Sequence, residues 1–185
     1  MNRAVLLSTG AYLPERIMKN SEFESIIETS DAWIQERTGI TQRHIAAQGQ
    51  LTSDLAVEAG KQALERAGVS PDTVDLIVLA TTTPDDTMPS TATKVQYRLG
   101  TKGAAFDINA ACSGFVYAMT IANNFIIAGS AKRVLVIGAE TYSRILDWSD
   151  RGTCILFGDG AAAVLLDAQA QAGTNDDKGV LYSGI

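Results

Sequence analysis

Apolar positions along the chain fall into short runs and longer helical stripes that alternate. Val5-Leu6-Leu7 opens a first strand. Ser21 with Glu24 is spaced as a capping box for a short helix. Ser30 is placed to cap a second helix, Asp31 to Thr38, with Gly39 just past its end. A longer helix starts at Thr52 or Ser53, presents the stripe Leu55, Ala59, Ala63, Ala67, and is stopped by Gly68 and Pro71. Val74 to Ala80 is a nearly continuous apolar run, the pattern of a strand buried on both faces. After a polar loop, Ser90 is placed to cap a helix carrying Ala92, Val95 and Leu99 and ended by Gly100. Ala104 to Asn109, Val134 to Gly138 and Ala161 to Leu166 read as further strands. Strands alternating with helices predict an α/β fold with a mainly parallel sheet and right-handed crossovers.

One helical segment departs from amphipathic patterning. Residues 113–128 read SGFVYAMTIANNFIIA, with apolar side chains around almost the whole circumference. Such a helix is buried on all sides, and one sheet covers only one of them. The other side therefore calls for a second domain or a partner chain. The last residues, Leu181 to Ile185, resemble a strand beginning or ending, which also predicts further protein beyond them.

Charge and composition narrow the class. Twenty-one acids against 15 bases give a net charge of −6, which disfavours non-specific nucleic-acid binding. No apolar run approaches the ~20 residues that span a bilayer, and the apolar stretch near Met1 is too short for a secretory signal. The two cysteines, Cys112 and Cys154, read as thiols of a cytoplasmic protein.

Candidate chemistry centres on Cys112. It lies between a strand and the apolar helix, where the helix dipole and free N–H groups favour a thiolate and can hold an oxyanion. The small neighbours Ala111, Ser113 and Gly114 leave room for a substrate carbonyl. On spacing alone a buried structural thiol is an equally good reading. Cys154, inside an apolar run, reads as structural. Gly158-Asp159-Gly160-Ala161-Ala162-Ala163 fits a loose dinucleotide pattern, but the segment after it is strand-like, so it reads as a tight turn. His44 is the only histidine and reads as structural. Trp33 and Arg37 stand one helical turn apart and can share a face. Taken alone, they read as a core tryptophan and a solvated arginine.

Four stretches together resemble β-ketoacyl-acyl carrier protein synthase III, in that family's order and over essentially all 185 residues. They are Thr29 to Ile34 with Arg37 to Ile40, Asn109 to Phe115, Asp150 to Thr153, and Leu156 to Ala161. The resemblance implies a thiolase-like fold: residues 1–185 would be one αβα half of a duplicated αβαβα sandwich with a buried central helix, carrying the nucleophile. It implies that Cys112 takes an acyl group, usually acetyl, from acyl-CoA and condenses it with malonyl-acyl carrier protein to initiate fatty acid synthesis. Thr29, Trp33, Arg37 and Arg151 would form the CoA entrance. Met88, offered across a homodimer interface, would shape the acyl pocket with Tyr142 and Phe157. A flexible Met88 where aromatic residues are common widens the starter range. No metal or other cofactor is implied. The family draws a catalytic His and Asn from its C-terminal half, so the 185 residues alone are expected to be inactive. Two further classes share the cysteine: an acyltransferase to an oxygen or nitrogen acceptor, and a non-catalytic acyl-CoA-binding half.

Overall fold

The computed structural model describes residues 1–183. In chain order the elements are β1 (Asn2–Tyr12), β2 (Arg16–Lys19), α1 (Asn20–Phe23), α2 (Asp31–Thr38), β3 (Gln42–Ile45), α3 (Thr52–Ala67), β4 (Leu76–Ala80), α4 (Thr91–Leu99), β5 (Ala104–Ile108), α5 (Gly114–Ile127), β6 (Arg133–Thr141) and β7 (Asp159–Ala170). Five strands form a sheet in the order β1-β7-β6-β4-β5, and β2 pairs with β3 apart from it. Of the expected strand at the end of the chain, Leu181 to Ser183 have no regular structure, and Gly184 and Ile185 lie outside the described residues.

The strands of the five-stranded sheet alternate their side chains between two cores. Ile77, Leu79, Leu135, Ile137 and Leu165 pack with α3 and α4 on one face. Leu76, Val78, Val134, Val136 and Leu166 pack with Ala118, Ala122 and Ile126 of α5 on the other. The result is helix, sheet, helix in three layers. All five residues of β4 are buried, as a central strand covered on both faces requires.

The sheet is mixed rather than mainly parallel. β4 pairs parallel with β5 and β6, whereas β7 is antiparallel to both β6 and β1. The β6–β7 connection contains no α-helix, so the chain returns without the crossover that parallel pairing needs. The all-round burial expected of the central helix is also only half met. α5 buries one side on the sheet, while Val116, Tyr117, Phe125 and Ile127 are exposed.

Two caps differ from expectation. Glu22, not Glu24, accepts the Lys19 N–H at 2.8 Å to start α1. Ser90 makes no side-chain cap to α4. The Asp107 carboxylate of β5 instead accepts both Thr91 N–H and Ala92 N–H at 2.7 Å, placing a full negative charge at the positive helix end. At α2 the expectation holds: the Ser30 hydroxyl accepts the Trp33 N–H, and Gly39 takes the left-handed conformation.

A third, small core joins β2, β3, α1 and α2 to residues 154–155 through Met18, Phe23, Ile34, Ile45, Cys154 and Ile155. This satellite holds the segments that flank the candidate site.

Candidate active site

The site follows from strand order. From β4 the chain crosses through α4 to β5 on one side, then through α5 to β6 on the other. The crossovers lie on opposite faces. A crevice opens where such connections diverge, at the carboxyl ends of the parallel strands. A cavity of about 300 Å³ occupies this position. Ala80 ends β4 there, Glu140 lies near the end of β6, and Cys112 follows β5. Phe115, Tyr142 and Phe157 supply its aromatic walls. A larger hollow of about 520 Å³ between α3 and α4 contains no thiol or imidazole.

Cys112 is exposed. It occupies a 3-10 turn, Ala111–Ser113, that leads directly into α5. Ala111 before it has φ +47°, the only left-handed non-glycine among the described residues. Such a conformation costs about 1–2 kcal/mol and persists only where its surroundings enforce it. The turn thus holds the thiol up at the head of the helix. The wall behind it is tight: a Cβ on Gly138 would stand 3.2 Å from Phe115 Cδ2. Cys154 is fully buried, and burial first, then the Asp150 charge, pushes its thiol pKa up. Cys154 is thus buried as the sequence suggested, and Cys112, whose spacing left burial open, is exposed.

Tyr142 and Phe157 stack at 4.6 Å between centroids, both on the cavity wall. Met88 is 85% exposed and does not line this cavity, so within one chain it is not brought to Cys112. Trp33 is brought together with both arginines: the guanidinium carbons of Arg37 and Arg151 lie 4.2 and 4.0 Å from the indole centroid. Among the described residues Glu36 is the carboxylate within 4 Å of either, 3.9 Å from Arg37 and exposed. Two cations on one aromatic ring form a surface suited to a flat, anionic ligand. Thr29 is half-buried, and its hydroxyl has no hydrogen-bond partner among the described residues.

Glu140 was not singled out by sequence, although an acid closing an apolar strand is a usable signal. Its carboxylate accepts Thr82 N–H at 2.8 Å, the Thr82 hydroxyl at 3.0 Å and the Thr83 hydroxyl at 2.5 Å. It ties the loop after β4 to β6 beside the cavity. The Gly158-Asp159-Gly160 motif is a strand start, not a tight turn: β7 begins at Asp159. A Cβ on Gly158 would meet Arg43 Cβ at 3.0 Å, so glycine permits close approach to β3. Asp159 accepts Ala46 N–H, Ser143 N–H and the Ser143 hydroxyl at 2.6–2.8 Å. His44 is half-buried in β3, with Nδ1 at the Pro14 carbonyl. Among the described residues no cluster of His, Cys, Asp or Glu could hold a metal, and no helix is long and apolar enough to cross a membrane.

The mixed sheet with helices on both faces, and the cysteine turn at the strand ends, define a thiolase-like fold. The chain is similar to a 3-oxoacyl-(acyl-carrier-protein) synthase III structure from Aquifex aeolicus VF5 with a TM-score of 0.87 and 50% identity, covering 91% of this chain and 55% of that one. It is similar to the priming β-ketosynthase of the R1128 polyketide pathway with a TM-score of 0.85 and 36% identity, covering 90% and 50%.

In sequence and in fold the chain matches the N-terminal part of the β-ketoacyl-acyl-carrier-protein synthase III family. The sequence profile described as 3-oxoacyl-(acyl-carrier-protein) synthase III matches residues 106–181. The β-ketoacyl-(acyl-carrier-protein) synthase III of Rhodospirillum centenum is 64% identical over 184 residues, 99% of this chain and 57% of that protein. That of Bradyrhizobium sp. strain BTAi1 is 61% identical over the same coverage. The chain thus spans 57% of the length of these relatives.

Proposed function

We propose that this chain is the nucleophile-bearing half of a condensing enzyme that initiates fatty acid synthesis. The observation that carries the proposal is Cys112, exposed on a strained turn and facing an apolar cavity at the ends of parallel strands. The Cys112 thiolate attacks the thioester carbonyl of an acyl-CoA, most simply acetyl-CoA. A new C–S bond forms, the C–S bond to CoA breaks, and CoA leaves as a thiolate that takes up a proton. Malonyl-acyl carrier protein then loses carbon dioxide. The electron pair freed at its α-carbon forms a C–C bond to the acyl carbon, and Cys112 is released as thiolate. Neither step changes an oxidation state through a cofactor, and none is invoked.

In this reading the adenine enters between Trp33 and Arg151, displacing the guanidinium that lies 4.0 Å from the indole centroid, with Arg37 and Thr29 at the CoA mouth. Tyr142 and Phe157 line the acyl pocket, completed by Met88 from a second copy in a homodimer. The imidazole and amide that stabilise the enolate belong to a C-terminal half, packed on the exposed face of α5, and residues 1–185 alone give no ketoacyl product. The protein works in the cytoplasm.

The test supplies the native protein with acetyl-CoA and malonyl-acyl carrier protein and follows carbon dioxide and the ketoacyl product. Both should appear, and Cys112→Ala should abolish the ketoacyl product. Product from the Cys112→Ala variant, or acyl transfer to an oxygen or nitrogen acceptor without carbon dioxide, would overturn the proposal.

A further inference from the structure

Arg43 lies in β3 and is only 5% exposed. A buried cation is costly unless paired. Yet among the described residues its polar partners are neutral: the Ile155 carbonyl accepts Nε–H at 3.0 Å and a second N–H from Nη2, and Asn20 Oδ1 accepts from Nη1. Phe23 lies 4.7 Å beneath the guanidinium.

The partners reach in two directions. Asn20, itself 1% exposed, donates through Nδ2 to Asp31 Oδ1 at 2.8 Å and to the Ile40 carbonyl at 2.7 Å. Asp31 is the first residue of α2, and Ile40 follows its C-cap. Asn20 therefore clamps both ends of the helix that presents Trp33 and Arg37. Ile155 lies on the other side, one helical turn's length after Arg151 in the same turn-rich segment, whose fold is closed by Cys154 N–H to Asp150 O at 2.9 Å. The guanidinium thus stands between the segment carrying the indole and the segment carrying the second cation.

We propose that Arg43 is a positioning residue: it fixes α2 against residues 150–155 so that Trp33 and Arg151 face each other across the CoA mouth. The inference rests on the reading of that surface as the CoA mouth. The planar fork matters, because it donates to two diverging acceptors at once, which a lysine ammonium cannot match in geometry.

The experiment measures CoA affinity by calorimetry for the native protein, Arg43→Lys, Trp33→Ala and the double variant, with the rate of Cys112 alkylation by iodoacetamide as a second readout. Arg43→Lys should weaken CoA binding about ten-fold, the effect of losing one well-placed charged contact. Cys112 alkylation should stay unchanged. In the Trp33→Ala background Arg43→Lys should cost less than it does alone, since one of the two groups it aligns is already gone. If Arg43→Lys does not fold, Asn20→Ser cuts the same relay from the α2 side and should give the same pattern. Native CoA affinity in Arg43→Lys, or a loss that adds fully to that of Trp33→Ala, would overturn the inference while leaving the mouth in place. Unaltered affinity in Trp33→Ala would instead show that the CoA reading itself is wrong.

Discussion

Replacing Glu140 by Ala should damage the site from behind. Its carboxylate holds three donors of the loop after β4 at 3.0 Å or less. The Thr83 hydroxyl also accepts the Thr141 N–H at 2.8 Å, so the loss reaches β6 itself. A hydrogen bond to a charged group contributes about 1.5–3 kcal/mol, and three sharing one carboxylate do not add fully. About 3–4 kcal/mol is therefore the expected cost, near the upper end for a single substitution. For a chain of this size each kcal/mol moves Tm by about 2–4 °C, so Glu140→Ala should lower Tm by about 6–16 °C. Glu140→Gln keeps the acceptor for Thr82 N–H but turns an NH₂ toward hydroxyls that now donate. It should cost roughly half as much. Thermal unfolding by circular dichroism reads both. A cost for Ala below about 1 kcal/mol, or equal costs for Gln and Ala, would refute the claim that the charge organises this loop.

Three further outcomes follow from single contacts. Asp107→Ala removes the charged cap of α4 and should cost about 1–2 kcal/mol in urea unfolding, with Asp107→Asn intermediate; no difference between the two would deny a role for the charge. The Arg3 guanidinium beside Asp177 holds its carboxyl below the ordinary 3.8, so this contribution is present above that value and lost as pH falls through the folded pKa. Asp177→Asn should then flatten the stability curve below about pH 4, and an unchanged acid limb would contradict it. Arg151→Ala should weaken CoA binding about ten- to a hundred-fold while leaving the KM for the carrier protein nearly unchanged, since only one end of the site loses a contact.

Periodicity exposed what local chemistry dictates. The apolar run Leu76–Ala80 became the central strand, and Ser30 with Gly39 bounded α2, because such signals act over one turn or one pleat. Strand direction was not legible, since alternation is the same whichever way β7 runs. The caps failed for a related reason: Ser90 is the local candidate, but Asp107 outcompetes it by binding Thr91 N–H from 16 residues away. The site split the same way. The place of Cys112 between β5 and α5 was readable because the strand–cysteine–helix order is local. Trp33 meeting Arg151, Glu140 holding Thr82 and Arg43 bridging Asn20 to Ile155 are contacts across 23 to 118 residues, which no spacing rule contains. Met88 is 85% exposed and does not line the Cys112 cavity within one chain.

The central claim is that Cys112 is the acyl acceptor and Cys154 is not. Incubating the native protein with acetyl-CoA alone, quenching in acid and mapping the adduct by peptide mass spectrometry tests it directly. One acetyl group is expected, carried by the Cys112 peptide and absent from Cys112→Ala, with Cys154 unmodified because it is buried and its thiol pKa is raised. An acetyl group on Cys154, or none on Cys112 while condensation proceeds, would contradict it.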